Sequence, residues 1–279
     1  MIGEFLASWP LFRDAYLSGC LIAALLGAIG VLIVARDQIF LGAAVSQASM
    51  LGLTIGLELG WSGAGWYEFD AVTSLLGSLF AVAGALVTVS LRPPGGESRE
   101  ALTGWIFCVG LSLSVLLVAH SPHGLEEVHR IVSSTIVGAT LVDVELFALL
   151  LLATAFALLR WWRTLVLVTM DPEAARAAGV RVDWWDRALY VWLGIAIAMS
   201  LRVSGLVYTF GFLVLPALVA KGVAREMRTM LLVAPCVALA VAVVSFVLAH
   251  HYDLPPAHVG VAGLCGAVLV TWSARALRR

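Results

Sequence analysis

Residues 203–221 read VSGLVYTFGFLVLPALVAK, an apolar run interrupted by Gly205 and Gly211, carrying Pro216 near its end and closed by Lys221. It is long enough to cross most of a bilayer, since a spanning helix needs about 20 apolar residues. Glycine and proline inside such a helix release backbone groups, which must find partners in neighbouring helices or in a water-filled path. The stretch alone fits an ordinary packed helix. Its flanks shift the expectation towards a lined pathway through the bilayer.

The rest of the chain agrees with that setting. Of 279 residues, 61% are hydrophobic and 13% charged, whereas a soluble domain carries about 25% charged residues. The expectation is an all-α, polytopic helical bundle in a lipid bilayer, one domain over residues 1–279. No polar segment is long enough for a soluble domain. A formal net charge of −1 offers no basic surface for nucleic acid. Cys20, Cys108, Cys236 and Cys265 lie in apolar runs without CxxC spacing, which argues against a disulfide framework or a structural zinc site. Glu4, Arg13 and Asp14 flank the first apolar run, which reads as a retained span and not a cleaved signal.

Hydrophobicity predicts about nine spans, within a range of eight to ten: 15–34, 39–60, 71–91, 102–119, 142–160, 187–201, 203–220, 229–250 and 257–273. The sixth is short and almost touches the seventh, so the pair is expected to be tilted, re-entrant or broken. With the N-terminus outside and the C-terminus cytoplasmic, Arg36, Arg92, Arg99, Arg160, Arg163, Arg176, Arg181, Arg187, Lys221, Arg225, Arg228, Arg275, Arg278 and Arg279 face inwards. Only Arg13, Arg130 and Arg202 of the 17 basic residues face outwards. That asymmetry sets the orientation.

The same topology gathers His120, His123, His129, His250, His251 and His258 outside, with Glu126, Glu127 and Asp253. Imidazole and carboxylate suit borderline divalent metals. Polar residues also collect at outer helix ends without any ligand. His250, His251 and Asp253 are candidate ligands, as is Cys108 in the fourth span, although a lone membrane cysteine is most often a packing residue. Ser46 and Gln47 are polar within the second span, where such side chains face other helices or a cavity.

The longest inner loop, residues 169–187, reads TMDPEAARAAGVRVDWWDR. Asp171 is an N-cap, Pro172 occupies the first helical position, and Gly179 stops the helix. A short cytoplasmic helix is therefore expected between two spans, either a plain interfacial helix or a rigid piece through which a separate motor pushes. The chain has no GxxxxGK phosphate loop.

Three stretches together resemble the permease subunits of ABC importers for zinc, manganese or iron. They are ARDQIFLGAAVSQASMLGLTIG at 35–56, MDPEAARAAGV with SGLVYTFGFLVLPALVAKGVARE across 170–226, and HHYDLPPAHVGV at 250–261. The resemblance implies a multi-pass permease of the bacterial cytoplasmic (inner) membrane, not an enzyme and holding no permanent cofactor. Its substrate would be a divalent metal moved into the cytoplasm. It implies three protein partners: a cytoplasmic ABC ATPase, a second permease subunit (homodimer or heterodimer) and an extracytoplasmic metal-binding protein. Asp171, Pro172, Glu173, Arg176 and Gly179 would couple to the ATPase. Ser46, Gln47, Gly205, Gly211 and Pro216 would belong to the path.

The chain departs from the family pattern in places. The family's first stretch has an aspartate after the glycine and a histidine one turn later; here these are Ala43 and Gln47. Ala43 cannot ligate, and a neutral amide replaces histidine poorly at zinc. SSTIVG at 133–138 stands where an aromatic followed by glycine is usual, and Ala257 where glycine is common. These departures leave open a heteromeric permease, a permease for metal chelates, or a scaffold that transports only with a partner. A secondary transporter would place ionisable groups mid-span, and no enzyme-like constellation is readable.

Overall fold

Apolar runs this long, with every backbone group obliged to pair internally, leave the helix as the expected element. The computed structural model describes residues 2–58, 69–91, 99–119 and 136–277. Among these, the elements are α1 (Ile2–Ala35), α2 (Ile39–Glu58), α3 (Phe69–Ser90), α4 (Arg99–Val118), a 3-10 turn (Ile136–Gly138), α5 (Leu141–Met170), α6 (Pro172–Ala177), α7 (Val182–Val223), α8 (Met227–Tyr252) and α9 (Pro256–Ala276). There is no strand among the described residues. Eight of the helices are long and apolar enough to cross a membrane.

Three of them differ from the expected spans. The first was expected at 15–34, but α1 begins at Ile2 and carries Pro10 inside the helix. The fifth was expected at 142–160, but α5 runs on to Met170 through a break at Trp161 (φ −122°, ψ 20°). Arg160, Trp161, Trp162 and Arg163 mark an interface, and helix-compatible residues follow, so the chain bends there instead of ending. The expected sixth and seventh spans lie on one element, α7, of 42 residues. A helix of that length measures about 63 Å, twice the ~30 Å hydrocarbon core. It is broken at Gly205 (φ 76°, ψ 174°), just inside the expected seventh span and three residues past its junction with the sixth. Only glycine adopts that backbone conformation without steric cost. Counting the two halves of α7 separately gives nine segments among the described residues, within the expected range of eight to ten.

The chain divides into two compact units. The first comprises Met1–Asp37, Ser134–Met170 and Val203–Arg279; the second comprises Gln38–Ser133 and Asp171–Arg202.

In the first unit, the Val203–Lys221 stretch packs against α1 on one side and α9 on another. The Tyr208 hydroxyl donates to the Gly19 carbonyl at 2.9 Å. Its ring stacks on Phe212 with centroids 4.0 Å apart. A Cβ at Gly30 would lie 1.7 Å from the Leu213 carbonyl oxygen, and one at Gly211 2.4 Å from Val261. Lys221 pairs with Asp37 at 3.2 Å, and the Arg275 guanidinium donates to the Lys221 carbonyl. The contacts Gly19–Tyr208, Gly30–Leu213 and Asp37–Lys221 advance together, so this half of α7 runs parallel to α1.

In the second unit, α2 packs against α3 and α4. A Cβ at Gly52 would meet the Leu76 carbonyl oxygen at 2.5 Å, and one at Gly110 the Gln47 backbone at 2.7 Å. Small residues at such crossings let helix backbones approach closely in lipid. Tyr190 of α7 donates to the Gln38 side chain at the start of α2.

Candidate translocation and coupling sites

The coupling segment is built by its own caps. Asp171 Oδ1 accepts from the Ala174 N–H at 2.9 Å, and Pro172 opens α6 at the position where its missing N–H costs nothing. At the other end, Val180 N–H donates to Ala175 O at 3.0 Å and Gly179 N–H to Arg176 O at 3.0 Å. With Gly179 at φ 79°, this is a Schellman close, two bonds satisfying the last carbonyls. Ala175 is fully buried. Asp171, Pro172, Glu173, Ala174, Arg176, Ala177, Ala178 and Gly179 are exposed. Arg176 faces Asp183 at 3.8 Å. Trp184 is 58% exposed and meets Trp185 edge-on at 5.0 Å. The result is a rigid exposed knob with both charge signs and an aromatic beside it.

The second candidate region follows α2. Ser46 and Gln47 are both buried. Ser46 satisfies itself by donating to the Gly42 carbonyl at 2.8 Å. Gln47 Oε1 has no hydrogen-bond partner among the described residues, and neither does Ser49 Oγ nor Thr73 Oγ1. A buried polar atom left without a partner costs about 1–3 kcal/mol. All three residues belong to the second unit. Ser49, Thr73 and the close-packed Gly110 were not singled out from sequence. Ser49 lies one turn beyond Ser46, a helical spacing that could have flagged it.

Gly205, Gly211 and Pro216 belong to the first unit. Across the break, Ser204 Oγ and Thr209 Oγ1 lie 3.2 Å apart, although side chains five apart on an unbroken helix face different directions. Pro216 is buried inside the helix and supplies no N–H for the Phe212 carbonyl.

The proposed metal ligands are dispersed. His250 is half-buried, with its ring edge-on to Phe12 at 6.3 Å. His251 is exposed beside Tyr252. Asp253 is exposed and closes α8 in the left-handed conformation (φ 54°). Cys108 is exposed on α4, in the other unit. No group of three or more His, Cys, Asp or Glu able to share a metal occurs among the described residues. His120, His123, Glu126, Glu127 and His129 lie outside the described residues. The sequence model described as the ABC 3 transport family matches residues 8–274.

The chain belongs to the ABC 3 transport family.

Members of this family are multi-pass membrane permeases of ABC transporters. The chain is 20% identical over 262 residues to the manganese import system permease protein ScaB of Streptococcus gordonii, covering 91% of this chain and 88% of that one. It is 22% identical over 239 residues to the high-affinity zinc uptake system membrane protein ZnuB of Haemophilus influenzae, with 86% and 88% covered. Its fold is similar to a chain in the structure of PsaBC from Streptococcus pneumoniae in complex with Fab, with a TM-score of 0.82, 17% identity, and 98% and 95% covered. The helical fold of this ABC 3 chain is thus similar to one already solved.

Proposed function

We propose that this ABC 3 permease carries a divalent transition metal (zinc, manganese or iron) into the bacterial cytoplasm across the cytoplasmic membrane. Residues 1–279 act as one permease domain, with the N-terminus outside and the C-terminus inside. A separate cytoplasmic ATPase docks on α6, a second permease subunit completes the path, and an external metal-binding protein delivers the ion. The observation that carries the reading is α6: eight exposed residues around one buried alanine, capped at both ends and placed between two spans. A motor needs a stiff contact of this kind. The names of ScaB and ZnuB support manganese or zinc as cargo.

Gln47, with its unpartnered amide oxygen, lies on the path; Gly205, Gly211 and Pro216 let α7 move within it. Because Ala43 and Gln47 provide no charged ligand pair, the second permease subunit supplies the metal-holding groups in a heteromeric assembly. The test is zinc, manganese and iron content by elemental mass spectrometry. Metal-starved cells lacking the chain are compared with complemented cells, with redundant importers deleted. A fall in one metal that complementation restores supports import and names the ion. Unchanged content of all three metals would refute it.

A further inference from the structure

The first unit holds a cleft of about 420 Å³ between α1, α5 and α8. Ala24 and Ala28 form its floor, Leu151, Ala155 and Leu158 one wall, and Leu231 the other. The hydroxyl of Thr154, on the same wall, donates to the Leu150 carbonyl at 2.8 Å. At one end stand Trp162 and Arg228. The Arg228 guanidinium lies 5.2 Å from the Trp162 ring centroid and that of Arg163 5.7 Å. Arg160 lies 6.0 Å from the Trp161 ring. All three arginines are exposed, and no carboxylate pairs with them among the described residues.

We propose that this cleft is a site for an anionic glycerophospholipid, with one acyl chain between α1, α5 and α8 and the phosphate held by Arg163 and Arg228. The dimensions support this occupant. Leu151 to Trp162 spans about 16 Å along a helix, the depth of one leaflet of a ~30 Å hydrocarbon core. The apolar part thus fits a chain and the cationic part a headgroup, in the order a leaflet imposes. Tryptophan at the junction is the side chain that occupies a headgroup boundary. A guanidinium near an aromatic ring by its face keeps edge N–H groups for a phosphate, which it meets bidentately. The break of α5 at Trp161 lies next to Trp162 at this mouth. The proposal rests on the reading above that this end faces the cytoplasm, the leaflet whose surface is anionic.

The test is native mass spectrometry of the chain in its purified complex, released from nanodiscs containing equal phosphatidylglycerol and phosphatidylcholine. Wild type is expected to retain phosphatidylglycerol at least tenfold over phosphatidylcholine. The double variant R163Q/R228Q should lose that preference, R181Q should keep it, and Ala155→Phe should lose both lipids by filling the cleft. Equal retention of the two lipids by wild type overturns the proposal without recourse to any variant. So does unchanged preference in R163Q/R228Q. Subunit dissociation in Ala155→Phe with lipid retention unchanged would assign the cleft to a second permease copy and overturn it too. Retention is read without transport: its failure with metal import intact removes only the lipid site, and failed import with retention intact removes only the function proposed above.

Discussion

If α6 transmits force, loosening its ends should uncouple ATP hydrolysis from transport without unfolding the permease. Gly179→Ala is the sharper of two perturbations. Gly179 sits at φ 79° and a Cβ there would touch nothing within 4 Å, so the penalty is torsional and not a clash. Holding an L-residue in the left-handed region costs about 1–2 kcal/mol. Asp171→Ala removes the 2.9 Å bond to Ala174 N–H, and loss of such a cap costs about 1 kcal/mol. A six-residue helix has few internal bonds to offset either loss. Its packing anchor is Ala175, and the Arg176–Asp183 pair is too exposed to add much. One to two kcal/mol shifts an equilibrium by a factor of about 5–30, so the ordered knob should be depleted by that order. In proteoliposomes holding the complete transporter, ATP hydrolysed per metal ion imported should rise severalfold. Thermal unfolding of the whole complex should move little. Gly179→Asn should recover coupling, since asparagine tolerates the left-handed region, and Asp171→Ser should recover the cap. An unchanged ratio in Gly179→Ala, or Gly179→Asn no better than Gly179→Ala, would refute the reasoning.

Gly30→Ala and Gly104→Ala form a second pair, both inside helices. A Cβ at Gly104 meets nothing within 4 Å, whereas at Gly30 it would sit 1.7 Å from the Leu213 carbonyl oxygen. Overpacking costs about 1–3 kcal/mol or more, and alanine otherwise gains up to about 1 kcal/mol over glycine in a helix. Gly30→Ala should therefore melt clearly below Gly104→Ala in detergent, and equal melting temperatures would contradict the packing described. A third prediction concerns the missing ligand pair. Ala43→Asp with Gln47→His puts a carboxylate and an imidazole one turn apart on α2, so the purified protein should retain more zinc than wild type by elemental analysis. A carboxylate at half-buried position 43 is costly without its metal, so chelation should lower the melting temperature of the double variant. Unchanged zinc content and no chelator effect would show that these positions do not face a common ion.

The sequence by itself determined the class of protein, the approximate position of most spans and the local signals. Apolar length and the absence of water from lipid leave only helices for such runs. Asp171, Pro172 and Gly179 were legible because caps depend on a few adjacent residues. Gly205 was legible as a break because backbone strain is local. The Thr140–Asp143 cap that opens α5, where the carboxylate accepts the Thr140 N–H at 2.9 Å and its hydroxyl at 2.8 Å, carried the same kind of signal and was passed over. Only tertiary structure decided which glycines matter: Gly30 and Gly104 are equivalent in a sequence, and differ because one faces the Leu213 carbonyl. It alone decided that Gln47, Ser49 and Thr73 keep polar atoms without a partner among the described residues while Ser46 satisfies itself. It also gathered Arg163, Trp162 and Arg228 at one cleft mouth. Those outcomes depend on contacts between residues distant in the chain, which periodicity and composition do not encode.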